Sequence, residues 1–306
     1  THDLLPSVIA NGTWAGYELR EVIAKMPEAI LGKAVAKKYE NQLPLLVKLI
    51  DTKSDLSVQV HPDDTMAQRE HNDRGKTEMW YVVDAEKDAY IYAGFKEELS
   101  PEEYAKRVAD GSIIEALAKH EIRTGDVFYI PAGRVHAIGK GVILVEIQQS
   151  SDLTYRIYDY GRMGLDGKPR ELHTELAAQA LDYQVYKEYK NSYTDSIDKA
   201  NPCLDTEHFS VRVVSIKQAI RRNMIGYDSF VIQTCTKGAC TVRIRSTQDE
   251  IRLEESQSCL IPAAIADYDI IPISPEVKLL ESYINNSTQS TLKKLISQFL
   301  HMSSNV

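Results

Sequence analysis

Four side chains in this sequence have the types and spacing to hold a metal ion: Gln59, His61, Glu78 and His136. Gln59 and His61 stand at i and i+2 in Ser57-Val-Gln-Val-His-Pro62, so a strand there would turn both to one face. Glu78 opens the apolar run Met79-Trp-Tyr-Val-Val83 and brings the one anion. His136 ends Gly125-Asp-Val-Phe-Tyr-Ile-Pro-Ala-Gly-Arg-Val-His136. That stretch reads as a turn, a strand and a Pro/Gly reversal that presents a histidine at the start of the next strand. Two imidazoles, a carboxylate and a carboxamide make an N2O2 donor set with room for substrate. Each piece has an ordinary alternative. A lone histidine in a β-rich chain is more often a hydrogen-bonded core or surface residue, and Glu78 alone reads as a solvated charge at a strand start. The conjunction favours a metal site, because three separate strands each contribute a ligand type.

The elements that must position these groups are mainly strands. Apolar runs separated by Gly, Asp and Pro turns predict strands over 44–50, 54–62, 78–93, 122–131 and 141–149. Ahead of them, 16–26 and 28–39 carry apolar residues near helical spacing, with Pro27 at the break. Ser100-Pro-Glu-Glu103 reads as a helix start with cap, N1 proline and capping-box glutamate. Gly111 ends that helix, and Ser112 with Glu115 begins another within 100–120. Two helices inserted among strands would form a lid or wall beside the pocket. A polar stretch at 183–204 loses periodicity and reads as a linker. Beyond it, 210–216, 229–233, 239–244 and 258–264 are again strand-like, and Ser258–Ala264 echoes Val127–Gly133. Pro262 stands where Pro131 stands, and Asp267 falls in the place of His136, so the second copy is expected to have lost its metal. The alternative is two unrelated hairpins that share Ile-Pro-Ala. The expected organisation is a metal-binding domain over 1–182, with the N-terminal helices and the insert at 100–120, then the linker. A degenerate domain over 205–306 follows, closing on a short helix at 289–301.

With 306 residues the chain is long enough for two domains, and 26% charged with 43% hydrophobic residues is ordinary for a soluble globular protein. A net charge of −8 does not advertise nucleic acid or an anionic membrane as partner, so an anionic small substrate must be met by local Lys and Arg. Cys203, Cys235, Cys240 and Cys259 lack metal-type spacing and read as buried free thiols in a reducing, cytoplasmic compartment. No apolar stretch reaches the length of a membrane span, and no signal peptide is visible. The first residue is Thr1 rather than Met, so an N-terminal piece is expected to be missing.

Five segments together resemble type I mannose-6-phosphate isomerases, most of all the short bacterial form. They are Pro44-Leu-Leu-Val-Lys-Leu-Ile50, Leu56-Ser-Val-Gln-Val-His-Pro-Asp-Asp64, Lys76-Thr-Glu-Met-Trp-Tyr81, Pro131-Ala-Gly-Arg-Val-His136 and Glu146-Ile-Gln-Gln-Ser-Ser-Asp-Leu-Thr-Tyr-Arg-Ile-Tyr-Asp-Tyr-Gly-Arg162. Arg170-Glu-Leu-His173 extends the match, which runs in order through nearly the whole chain. The resemblance implies a mainly β bicupin, two jelly-roll barrels with inserted helices. It also implies one zinc ion per chain and interconversion of mannose 6-phosphate with fructose 6-phosphate. It places the zinc on Gln59, His61, Glu78 and His136 and the catalytic arginine at Arg156. Two departures stand out. The family's early strands ahead of Asn11-Gly12 are absent, and the tyrosine of the eukaryotic branch two residues beyond the last histidine is Ile138 here.

Aldose–ketose isomerisation moves a proton between C2 and C1 through an enediol. It needs an electrophile for the oxygens and a base for the carbon proton. Zinc with an open position supplies the first, and a neutral Gln59 leaves it more electrophilic than a second carboxylate would. Arg156 is permanently protonated, suited to holding substrate or stabilising the enediolate; its ordinary alternative is an ion pair with Asp152 or Asp159. Lys76, two residues before Glu78, can bind phosphate or act as base, and the sequence leaves both open. Ser57 shares a face with Gln59 and His61 and can donate to phosphate or a sugar hydroxyl. Glu146 and Asp152 are candidates for substrate contact or proton relay, and Arg134 reads as a solvated surface charge. The expected partner is a small sugar phosphate, met by a monomer or weak homo-oligomer. Two rivals remain at this point. An iron-dependent cupin oxygenase is opposed by Gln59 standing in place of a histidine. A non-catalytic sugar-phosphate-binding cupin is opposed by Arg156 and Lys76.

Overall fold

The computed structural model describes residues 6–164 and 167–286, which fall into two compact units, 45–192 and 1–44 with 193–306. Strands of the first unit are β1 (Leu45–Asp51), β2 (Val58–Val60), β3 (Glu78–Ala85), β4 (Tyr90–Phe95), β5 (Leu117–Glu121), β6 (Val127–Ile130), β7 (His136–Ile138), β8 (Val142–Gln149), β9 (Tyr155–Tyr158) and β10 (Lys190–Asn191). They form two antiparallel sheets, β1-β8-β3-β6-β10 and β5-β4-β7-β2-β9. Trp80, Phe128 and Leu144 of one sheet share a buried core with Ile91, Ala93 and Ile138 of the other, so the sheets face each other. The period-2 alternation of these strands leaves a second apolar row on the outside of the β2/β7/β9 sheet. Val58, Val60, Ala137 and Ile157 in that row are covered by Tyr104, Ile113 and Ala177 from the helices.

The inserted helices therefore wall the outer face of this sheet. Helix Pro101–Asp110 starts as expected: Ser100 Oγ accepts from Glu103 N at 3.2 Å, Glu103 Oε2 accepts from Ser100 N at 2.9 Å, and Gly111 ends it with φ +79°. The second helix begins at Ser112 as expected but is cut short. Ser112–Ala116 is a 3-10 turn, and Leu117-Ala-Lys-His-Glu121 becomes β5 because pairing with β4 outweighs its helical propensity.

The other unit contains β11 (Lys199–Asp205), β12 (Ser210–Ile216), β13 (Ile220–Asn223), β14 (Val231–Lys237), β15 (Ala239–Ile244), β16 (Glu250–Glu254), β17 (Ser258–Ile261), β18 (Asp267–Pro272) and β19 (Val277–Tyr283). Their sheets run β11-β12-β19-β14-β17 and β13-β18-β15-β16. Adding eleven to each of β1 to β8 reproduces this order, so the expected internal repeat is present strand by strand. The chain is mainly β, with the doubled two-sheet architecture of a bicupin.

Three details differ from the sequence-based expectation. Residues 183–204 carry β10 and β11 rather than a bare linker. The N-terminal helices, Leu19–Lys25, Pro27–Leu31 and Lys33–Lys38, belong to the second unit: Ala263 N donates to Ile30 O at 2.9 Å, and Asp228 accepts from Lys33 N and Ala34 N at 2.9 and 2.7 Å. Gly32 makes that approach sterically open, since a Cβ there would lie 2.1 Å from Asp228 O. In β18, Asp267 turns outward to Arg221 and Tyr268 turns inward, pairing with Arg222 as His136 pairs with Gln59. Tyr268, not Asp267, thus holds the place of His136. The expected helix at 289–301 lies outside the described residues.

Candidate metal centre

His61, Glu78 and His136 converge from both sheets of the first unit, with ligand atoms within 4.8 Å of one another. Strand alternation and pairing bring them together: Gln59 is opposite His136 across β2 and β7, and Arg156 lies on the other side of Gln59 on β9. Pro131 and Gly133 set the approach of His136. Gly133 holds φ +87°, and its N–H donates to His61 O at 2.9 Å, tying the two histidine segments together. All three converging residues are buried.

The imidazole tautomers are fixed from behind. His61 Nδ1–H donates to Leu153 O at 2.8 Å, and His136 Nδ1–H donates to Arg134 O at 2.8 Å. Each Nε2 is left as a lone pair aimed at Glu78, whose Oε2 and Oε1 lie 3.4 Å from His61 and His136 respectively. His61 Nε2 and both Glu78 oxygens are buried without a hydrogen-bond partner among the described residues. Acceptors facing acceptors in a buried place are costly unless a cation lies between them. Ligands about 2.0–2.1 Å from a shared tetrahedral ion stand about 3.3–3.4 Å apart, so the donor set fits one metal. Gln59 Nε2 lies 3.2 Å from His136 Nε2, and a half-turn of the carboxamide would present Oε1 there instead.

The electrostatics agree. Burial pushes His61 down to about 3, with the Lys76 charge adding to it, and burial likewise lowers His136; both imidazoles are neutral. Burial alone would raise Glu78, but the charge of Lys76, whose Nζ lies 3.5 Å away, holds it below the usual carboxylate range. Burial raises Glu146, and the Glu78 charge raises it further.

Among the remaining sequence candidates, Lys76, Ser57 and Glu146 are buried, while Asp152 is exposed on the segment entering β9. Arg156 Nη1 donates to Glu171 O at 2.9 Å, and its Nε is buried without a hydrogen-bond partner. The ion-pair alternative with Asp159 is closed, because Arg162 and Arg170 both hold that carboxylate. Arg134 is half-buried rather than solvated, stacked over Tyr186 and Tyr189 at 4.8 and 5.2 Å. Lys48 is a residue that sequence reasoning passed over as part of an apolar strand. Its Nζ donates to Glu146 Oε1 at 3.2 Å and Gln148 Oε1 at 2.6 Å.

Residues 1–99 match the family model described as phosphomannose isomerase type I, catalytic domain. Mannose-6-phosphate isomerase ManA of Bacillus subtilis is 37% identical over 208 residues, 67% of this chain and 64% of that protein. The putative mannose-6-phosphate isomerase YvyI of the same organism is 33% identical over 272 residues, 88% of this chain and 83% of that protein. The crystal structure of the mannose 6-phosphate isomerase from Bacillus subtilis matches with a TM-score of 0.80 at 31% identity, covering 92% of this chain and 86% of that one. The aligned segments span 54% to 64% of the length of three curated relatives, ManA among them.

Proposed function

The chain belongs to the type I phosphomannose isomerase family, and on that premise we propose that it interconverts mannose 6-phosphate and fructose 6-phosphate through an enediol, with one zinc ion per chain. The observation that carries this reading is the set of unpartnered acceptors on His61 and Glu78, joined by His136, around one point. Zinc held there by these three residues and Gln59 supplies Lewis acidity to the sugar's O1 or O2 without redox demand. Glu78 is the sole anion of the set, so the centre keeps net positive charge for the developing oxyanion. Arg156, with a buried unpaired Nε–H and no carboxylate partner among the described ion pairs, is assigned to the enediol oxygens. Lys76 and Glu146 both lie in the field of Glu78 and are assigned to moving the proton between C2 and C1. Glu146 suits the task because its raised affinity for a proton favours uptake from the sugar carbon. Ser57 is assigned to a substrate hydroxyl or phosphate, and Asp152 to the outer edge of the site. The second unit is assigned a structural role. Four cysteines without a disulfide accord with a cytoplasmic setting, and no helix of the described residues is long and apolar enough to cross a membrane.

A coupled assay on mannose 6-phosphate, before and after treatment with a chelator, tests the reading. Turnover that is lost on chelation and restored by zinc is expected. Binding of the sugar phosphate without turnover would make the chain a binding cupin instead.

A further inference from the structure

We propose that Trp80 is a positioning residue, whose indole N–H fixes the Glu146 carboxylate in the orientation that proton transfer uses. The proposal rests on the isomerase reading above. Trp80 is fully buried, and its Nε1–H donates to Glu146 Oε2 at 3.0 Å while Lys48 holds Oε1. Among the described residues these two donors alone hold the Glu146 oxygens. The same indole packs edge-on against His136, with centroids 5.2 Å apart and an 80° interplanar angle. One rigid side chain therefore sets the acid relative to the metal-facing imidazole.

The internal repeat supplies an independent observation. Lys48, Glu146 and Trp80 are cross-strand neighbours on β1, β8 and β3; Arg212, Glu281 and Gln233 are the corresponding neighbours on β12, β19 and β14. In the second unit Arg212 Nη1 donates to Glu281 Oε1 at 3.1 Å, and Gln233 Nε2–H donates to Glu281 Oε2 at 2.9 Å. The two pockets have different residues at every metal-facing position, yet each keeps a buried carboxylate, a cation on one oxygen and an N–H on the other. A side chain retained only for bulk at this position would not need a donor in both copies. In the second unit Arg222 closes on Glu281 with two further bonds of 2.9 and 2.7 Å. Gln59, in the corresponding place of the first unit, turns to His136 and leaves the carboxylate of Glu146 to two donors.

The test replaces Trp80 with benzothienylalanine, which keeps the bicyclic ring and removes only the N–H, alongside Trp80→Phe. Losing one hydrogen bond to a charged group should lower kcat by about ten- to a hundredfold, with KM, bound zinc and melting temperature near those of the parent. A second readout is independent of turnover. In a Trp14→Phe background Trp80 is the sole tryptophan, and its indole N–H proton resonance should shift upfield on Glu146→Gln. Unchanged kcat in the benzothienylalanine protein would overturn the positioning role, as would an indole resonance indifferent to Glu146→Gln. If the parent protein itself fails to isomerise mannose 6-phosphate, the isomerase reading falls, and the resonance alone decides whether Trp80 holds Glu146.

Discussion

Two backbone carbonyls, those of Leu153 and Arg134, decide which nitrogen of each histidine faces the centre. With Nδ1 occupied on both, His136→Ala removes a lone pair that no neighbour can replace. Bound zinc by metal analysis and turnover should then fall together. Arg156→Lys should behave differently: zinc stays, while kcat drops by about a hundredfold because the planar fork is lost though the charge remains. Near-normal kcat in that variant would return Arg156 to a structural role. The four ligand candidates were legible because a two-residue period and a Pro/Gly frame restrict where a side chain can point. Lys48 was not, since its relation to Glu146 exists only through the pairing of β1 with β8, ninety-eight residues apart. Asp152 is harder to place from the sequence for a related reason: it lies in the irregular segment before β9, outside any strand alternation, and it is exposed.

Among the elements, the loop from Pro131 to His136 and the cap of helix Pro101–Asp110 make opposite predictions. Gly133→Ala forces a Cβ into left-handed backbone and within 3.1 Å of Ala180 O. About 1–2 kcal/mol of strain should lower the denaturation midpoint, and zinc affinity should weaken because the same loop carries His136 and bonds to His61 O. Ser100→Ala should cost about 1 kcal/mol of stability by denaturant titration and leave kcat alone, because that helix sits on the outer face of the sheet. The cap was readable from four consecutive residues. The fate of Leu117–Glu121 was not, because a local sequence that suits a helix was recruited as an edge strand by β4.

For the molecule as a whole, Ile-Pro-Ala aligns the repeat correctly, but the loop after it is one residue longer in the second copy, and in a strand one residue exchanges the two faces. The corrected register shows Arg222, Met224, Val231 and Tyr268 where the first unit has Gln59, His61, Glu78 and His136. Metal analysis should therefore find one ion per chain. Buried Glu281 balances two partly buried guanidiniums, so Glu281→Ala should destabilise by about 3 kcal/mol while zinc content is retained. Burial would raise the Glu281 carboxyl, but Arg222 and Arg212 hold it below its unfolded value. Its contribution is thus present above the ordinary carboxylate range of about 4.3 and disappears as pH falls through the depressed folded value; Glu281→Ala should flatten that part of the acid-unfolding curve. The doubled cradle has a practical consequence as well. The polypeptide carries its own blank: a pocket of matching strand order, wired for an ion on one side and corked by a guanidinium on the other. A spectroscopic label beside Tyr268 should stay silent when zinc is added, while one beside His136 should respond. Subtracting one signal from the other isolates the ion's own effect within a single sample.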